Sequence, residues 1–137
     1  MNYCDIYNKS ITSSEEFWKE QANQLEFWYN LPSNILSTDK NGYPLWFADG
    51  NLNACYLAVD KHIQDGYGEQ VAIIFDSPVT QTVKKYTFNE VKTEVAKLAG
   101  GLLSLGLEKG DTAVIYMPMI PQAAFAMLAC ARIGVTH

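Results

Sequence analysis

Apolar residues recur at helical spacing in four stretches of this chain and alternate or run together in three others. Residues 13 to 29, "SSEEFWKEQANQLEFWY", place Phe17, Trp18, Ala22, Leu25, Trp28 and Tyr29 on one helical face, and Ser13 with Glu16 has the spacing of a capping box. Glu15 and Glu16 fall in the first turn, where the helix dipole favours negative charge. That structural role is the expected one for them, ahead of acid/base chemistry. A second helix is expected from about Asn51 to Gln64, with Asn51 as its cap and Gly66 or Gly68 as its stop. Between these helices, "LPSNILSTDKNGYPLWFADG" is rich in turn-forming residues and reads as an extended surface arm, pinned to the body by Trp46 and Phe47.

The strand pattern comes next. "VAIIFD" (71 to 76) and "KKYTF" (84 to 88), separated by the turn-forming "SPVTQT", predict a two-stranded hairpin. Thr87 and Glu90 form a second capping-box pattern, and Val91, Val95, Leu98, Leu102 and Leu105 follow at steps of four and three. Gly100-Gly101 costs this helix about 1 kcal/mol per glycine, which predicts a closely packed neighbour there. A glycine pair in mid-helix is no phosphate cradle, since phosphate-binding glycines precede a helix. After "EKGD" the chain reads as a fully buried strand, "TAVIY" (112 to 116), then a helix from Pro121 to Ile133 that is apolar nearly all round and therefore expected in the interior. Strand, helix and the stop at Gly134 make two thirds of a βαβ unit.

Composition narrows the class. A chain of 137 residues with 48% hydrophobic and 12% aromatic content is globular, and its length suits a buried core. Ten Lys+Arg against fifteen Asp+Glu leave a net charge of −5 with no concentrated basic face, which argues against nucleic acid as a partner. Cys4, Cys55 and Cys130 are odd in number and far apart, as in a reducing compartment, and no secretory signal is visible, so the cytoplasm is the expected location. Thr112 to Ala131 is free of charge over a bilayer-spanning length. Pro118 and Pro121 interrupt that run, and a strand and helix in an α/β core explain it without a membrane.

Candidate chemistry is sparse. The chain has no P-loop, no dinucleotide fingerprint, no nucleophile elbow and no H-E-x-x-H. His62, in the last turn of the second helix, suits a helix C-terminus better than catalysis. His62 and His137 make no metal cluster with three scattered cysteines, and Met117, Met119 and Met127 read as core filler. The expectation is that no catalytic, cofactor-binding or metal-binding residue lies in this chain.

"TFNEVKTEVAKLAGGLLSLGLEKGDTAVIYMPMIPQAAFAMLACARIGVTH" resembles the start of the large N-terminal domain of short-chain acyl-CoA synthetases, the acetyl- and propionyl-CoA synthetase branch of the adenylate-forming superfamily. Upstream, "SITSSEEFWKEQA" is similar to the first helix of these enzymes and "LWFADGNLNACYLAVDKH" to their W-F-x-x-G-x-L-N signature. The resemblance implies an α/β fold: the incomplete N-terminal portion of the large domain, with a helical extension and surface arm over residues 1–66 and the beginning of the ATP-binding domain over 67–137. It also implies a parent activity that uses ATP, Mg²⁺ and coenzyme A to convert a short carboxylic acid into its acyl-adenylate and then its acyl-CoA.

"FDSPVT" with "MPMIPQA" is more similar to propionyl-type members. Gln122, Thr112, Leu57 and Lys61 depart from the residues usual in the family and blur that assignment. The family's phosphate loop, nucleotide and coenzyme A contacts and catalytic lysine correspond to positions beyond His137, so the resemblance implies that this segment alone is inactive and binds none of these cofactors. Its implied partner is the remainder of the parent enzyme, or another copy paired through an unfinished sheet edge, with no membrane or nucleic acid. The alternative is a free-standing, non-catalytic interaction module derived from such an enzyme.

Overall fold

The computed structural model describes residues 2–137 and divides the chain into two compact units, one running through Leu52 and one from Asn53 to His137. The division falls earlier than the 66/67 boundary drawn from sequence, because Cys55 and Val59 of the second helix are buried in the core of the later unit.

The first unit starts with a helix that the apolar pattern did not reveal. Helix α1 (Tyr3–Thr12) is opened by a capping box between Asn2 and Asp5. Ser13 then closes α1 by donating its amide to the Lys9 carbonyl at 3.0 Å, and its side chain makes no cap bond to α2 (Ser14–Asn23). The expected helix over 13–29 is corrected accordingly: it ends at Asn23. The Trp28 indole donates to the Ala22 carbonyl at 2.9 Å, satisfying one of the last acceptors of α2. Trp28 itself lies in β1 (Trp28–Asn30), which pairs antiparallel with β4 (Asn51–Leu52).

The arm over 31–50 contains a small hairpin, β2 (Leu36–Thr38) against β3 (Pro44–Trp46). Asp39 closes its turn, its Oδ1 accepting from the amides of Asn41 at 2.8 Å and Tyr43 at 2.9 Å. Trp46 packs edge-on against Trp18 and Phe47 lies 6.2 Å from Trp28, so both rings pin the arm within its own unit.

In the second unit, residues 54–67 form a helix broadened by two π-type turns, Tyr56–Asp60 and Ile63–Tyr67. Asn51 is not its cap, since it belongs to β4. The Asn53 side chain takes that role, accepting from the Tyr56 amide at 3.0 Å. The hairpin forms as β5 (Val71–Ser77) and β6 (Thr82–Thr87), and the Thr87–Glu90 capping box opens α3 (Phe88–Ser104) with both reciprocal bonds made. Gly106, at φ +90°, ends α3 in a Schellman arrangement in which Leu107 donates to Leu102 and Gly106 to Leu103. Helix α4 (Pro121–Ile133) has Pro121 in its first turn and left-handed Gly134 at its end. Cys55, Val59, Tyr86, Val91, Val95, Ala99, Phe125 and Ala129 make one core, in which the Tyr86 and Phe125 rings meet edge to face at 5.3 Å.

Four expectations fail here. "TAVIY" is not a buried strand: Val114 is 91% exposed, and the segment's one pairing is an isolated parallel bridge between Thr112 and Thr136. A fully buried strand needs sheet neighbours on both sides, and the described residues supply one bridge. No neighbour packs on Gly100 or Gly101, where an added Cβ would meet nothing within 4 Å. Met117, Met119 and Met127 are exposed rather than core filler, and α4 buries one face, Pro121, Phe125, Ala126, Ala129 and Cys130, instead of its whole surface.

Candidate functional site

Asp60 is the buried charged residue of the core, and two elements supply its counter-charges. Its Oδ2 accepts from Arg132 Nη2 of α4 at 2.5 Å, and its Oδ1 lies 3.2 Å from Lys92 Nζ of α3. The π-type turn that ends at Asp60 has the Lys61 amide reaching back five residues to the Tyr56 carbonyl. Widened turns of this kind are frequent at functional positions. Asn53 completes the arrangement by donating its side-chain amide to the Arg132 carbonyl at 2.9 Å.

The charges within the cluster are mutually supporting. Burial by itself disfavours the Arg132 charge, but the hydrogen bond to Asp60 and the surrounding electrostatics outweigh it and hold the guanidinium protonated more firmly than usual. Burial pushes the neighbouring Cys55 thiol up, against the pull of Arg132, so the thiol stays protonated and unreactive. Burial likewise raises Cys130. Arg132 Nε is buried without a hydrogen-bond partner among the described residues. Nothing in this cluster pairs a nucleophile with a base; its chemistry is that of an ion-paired pin.

A second feature is a cleft of about 390 Å³ lined by Glu94, Lys97, Leu98, Met117, Gln122 and Phe125. Its floor is apolar, and its rim carries the Glu94–Lys97 ion pair at 2.9 Å. Beside it the chain from Val114 to Met119 is largely exposed, Val114, Tyr116 and Met119 almost fully so and Ile115 half-buried. Gly100 and Gly101 lie inside α3, and the Glu90 carboxylate occupies that helix's N-terminus, accepting from the Thr87 amide at 2.8 Å. The His62 ring lies 4.8 Å from that of Phe88 at a tilt of 34°, Glu15 and Glu16 lie in the first turn of α2, and His137 lies outside any helix or strand. Among the described residues no group of three His, Cys, Asp or Glu is placed to hold a metal ion, and no helix is long and apolar enough to cross a membrane.

The Asp60 cluster escaped sequence reading. Asp60, Lys92 and Arg132 are separated by tens of residues, and each looks like an ordinary helix-surface charge. The signal that was present is the "VDK" beside an otherwise apolar helical face, and Arg132 as the lone charge of an apolar helix.

Comparison with known proteins gives these residues a context. The family described as AMP-binding enzyme matches residues 61–137, and the family described as acetyl-coenzyme A synthetase N-terminus matches residues 3–58. The chain is 52% identical over 135 residues to the mitochondrial acyl-CoA synthetase short-chain family member 3 of Homo sapiens, covering 98% of this chain and 20% of that protein. It is 43% identical over 134 residues to an acetyl-coenzyme A synthetase of Streptomyces coelicolor, with the same coverage. Among solved structures, an acetoacetyl-CoA synthetase from Streptomyces lividans superposes with a TM-score of 0.80 at 26% identity, over 98% of this chain and 21% of that one. The chain thus spans about a fifth of the length of the curated relatives it matches.

Proposed function

Because the chain belongs to the AMP-binding enzyme family, we propose that the whole protein is an AMP-forming ligase of short carboxylic acids and that the present residues are part of its scaffold. The reaction has two balanced steps. The acid's carboxylate attacks the α-phosphorus of ATP, giving acyl-adenylate and releasing pyrophosphate; the thiol sulfur of coenzyme A then attacks the acyl carbon, giving acyl-CoA and AMP, with the thiol proton lost to a base. ATP and Mg²⁺ supply the activation, Mg²⁺ by neutralising phosphate charge. What supports this reading is the similarity to named acyl-CoA synthetases over 98% of the chain, in sequence and in fold.

The residues at hand contribute packing and position. Thr87 and Glu90 start α3, Asp60 ties α4 to its neighbours, and Gly134 turns the chain out of α4. The acid is proposed to be propionate or acetate, with propionate favoured by "FDSPVT" and "MPMIPQA". The names of similar proteins range over acetyl, acetoacetyl and short-chain acyl groups. The 137-residue chain alone is proposed to be inactive, and its partner to be the remainder of such an enzyme, packing on the largely exposed stretch at 114–119. Its three unpaired cysteines suit a reducing compartment such as the cytoplasm; the human relative is mitochondrial by name.

Two measurements test the reading. Reading the encoding gene past the His137 codon should reveal a Ser/Thr/Gly-rich loop ending in Pro-Lys; an immediate stop codon would leave the ligase reading without its catalytic parts. In a discontinuous assay with ATP, Mg²⁺, coenzyme A and acetate, propionate or acetoacetate, the purified 137-residue chain should form no acyl-CoA above a protein-free blank. Product formation by the chain would overturn the claim of inactivity.

A further inference from the structure

We propose that the Asp60–Arg132 pair is a registry pin: it sets the rotation of α4 about its axis, and through it the register in which Val135 and Thr136 meet the segment at Thr112. The need for a pin follows from α4 itself. Apart from Phe125, the residues it buries are Pro121, Ala126, Ala129 and Cys130, small side chains whose burial distinguishes less sharply between one rotation on α3 and the next. Its polar constraints gather at one point, Arg132. The side chain bonds Asp60 at 2.5 Å and the carbonyl accepts from Asn53 at 2.9 Å. Buried polar groups have their best-attested use in this role, selecting one packing among several of similar energy.

The consequence is transmitted over a few residues. Two positions after Arg132, Gly134 takes a left-handed conformation and its carbonyl accepts from the Gly110 amide at 2.9 Å. Thr136 then donates to the Asp111 carbonyl and accepts from the Ala113 amide, each at 2.8 Å, around the Thr112–Thr136 parallel bridge. Beyond the burial of Val135, this pairing of a single bridge carries little register preference of its own. A slip of one residue would exchange buried Val135 for exposed Thr136. The inference concerns this chain alone and holds whatever reaction the whole protein performs.

A purely stabilising ion pair and a registry pin make different predictions for a hydrophobic replacement. Exchanging a buried pair for apolar residues of similar volume is often neutral for stability. The double variant Asp60→Leu/Arg132→Met should therefore keep a urea midpoint close to the parent's, with Lys92, half exposed, left solvated. Its Ala113 and Thr136 amides should nevertheless exchange with deuterium about tenfold faster, roughly the effect of losing one buried charge-assisted bond, and residues 134–136 should show more than one set of NMR resonances. The β5–β6 ladder should exchange as before. A single set of resonances with unchanged protection at Ala113 and Thr136 would overturn the proposal. Should that variant fail to fold, the isosteric Asp60→Asn decides: faster exchange confined to Ala113 and Thr136 supports the pin, and uniform or absent change refutes it.

Discussion

Up to Leu52 the chain is held by polar side chains that bond nearby backbone and by rings in edge contact; from Asn53 onward it is held by an apolar core with one ion-paired cluster inside it. Among the described residues, Ala22, Pro32 and Ile35 are the buried apolar residues of the first part, whereas the second buries Val59, Val91, Val95, Phe125 and Ala129 among others. The first part compensates locally. Asp49 accepts from the Ser33 hydroxyl at 2.6 Å and from the amides of Ser33 and Asn34, and Asp39 closes the β2–β3 turn. Local polar bonds of this sort are each worth about 1 kcal/mol and are exposed to solvent competition, while burial of large side chains is non-local and cooperative. The two parts should therefore respond to different perturbations.

The largest effect is expected at the centre of the second core. Phe125→Ala removes a ring that is 3% exposed and packed on Tyr86, and should lower the unfolding free energy of that unit by about 4 kcal/mol in urea melts. A loss well under 1 kcal/mol would mean that the core described here is not the cooperative one. Next comes Arg132→Ala, which leaves Asp60 with Lys92 alone; about 3 kcal/mol of destabilisation is expected from the stranded buried carboxylate, measurable by the same melts. Near-parental stability would show that Lys92 and solvent suffice to satisfy Asp60.

Smaller effects sharpen the contrast. Gly100→Ala adds a methyl where nothing lies within 4 Å, in a residue with ordinary helical backbone. It should stabilise the isolated chain by roughly 0.5–1 kcal/mol through helix propensity. In the whole protein the same substitution should be destabilising if an additional element packs there, so the sign of the change distinguishes the two contexts. The first part should instead answer to acid. Its bonds to Ser33 and Asn34 lower Asp49 from the ordinary 3.8 to about 2. A folded value below the unfolded one means a stabilising contribution present above about pH 4 that fades as pH falls toward 2. Tryptophan fluorescence of the Trp28 environment should report that loss, and Asp49→Asn should flatten it. A pH response unchanged in Asp49→Asn would place the acid sensitivity elsewhere.

Much of the architecture was legible in the residues themselves because its determinants are local. The Thr87–Glu90 box, the helical spacing from Val91 to Leu102, the hairpin over 71–88 and the Pro121 and Gly134 limits of α4 each depend on residues a few positions apart. Helix α1 was not read from the sequence: its Asn2–Asp5 box lies in a stretch whose apolar residues, Tyr3, Tyr7 and Ile11, are exposed. The family resemblance was legible in "KGDTAVIYMPMIP" and "MLACARIG", and the matches over residues 3–58 and 61–137 agree with it.

What the sequence alone determined, then, is element type and family, since helix caps, turn residues and apolar spacing act within a few residues of one another. What only the tertiary structure decided is what each face meets. "TAVIY" has every mark of a buried strand, yet Val114 and Tyr116 face solvent, because burial belongs to neighbours and not to the segment. Asp60, Lys92 and Arg132 read as three solvated charges until the fold brings them together, and no spacing rule links positions that far apart. Coulombic attraction depends on distance in space, and that distance is set by the packing of α3 and α4 against the π-turn helix.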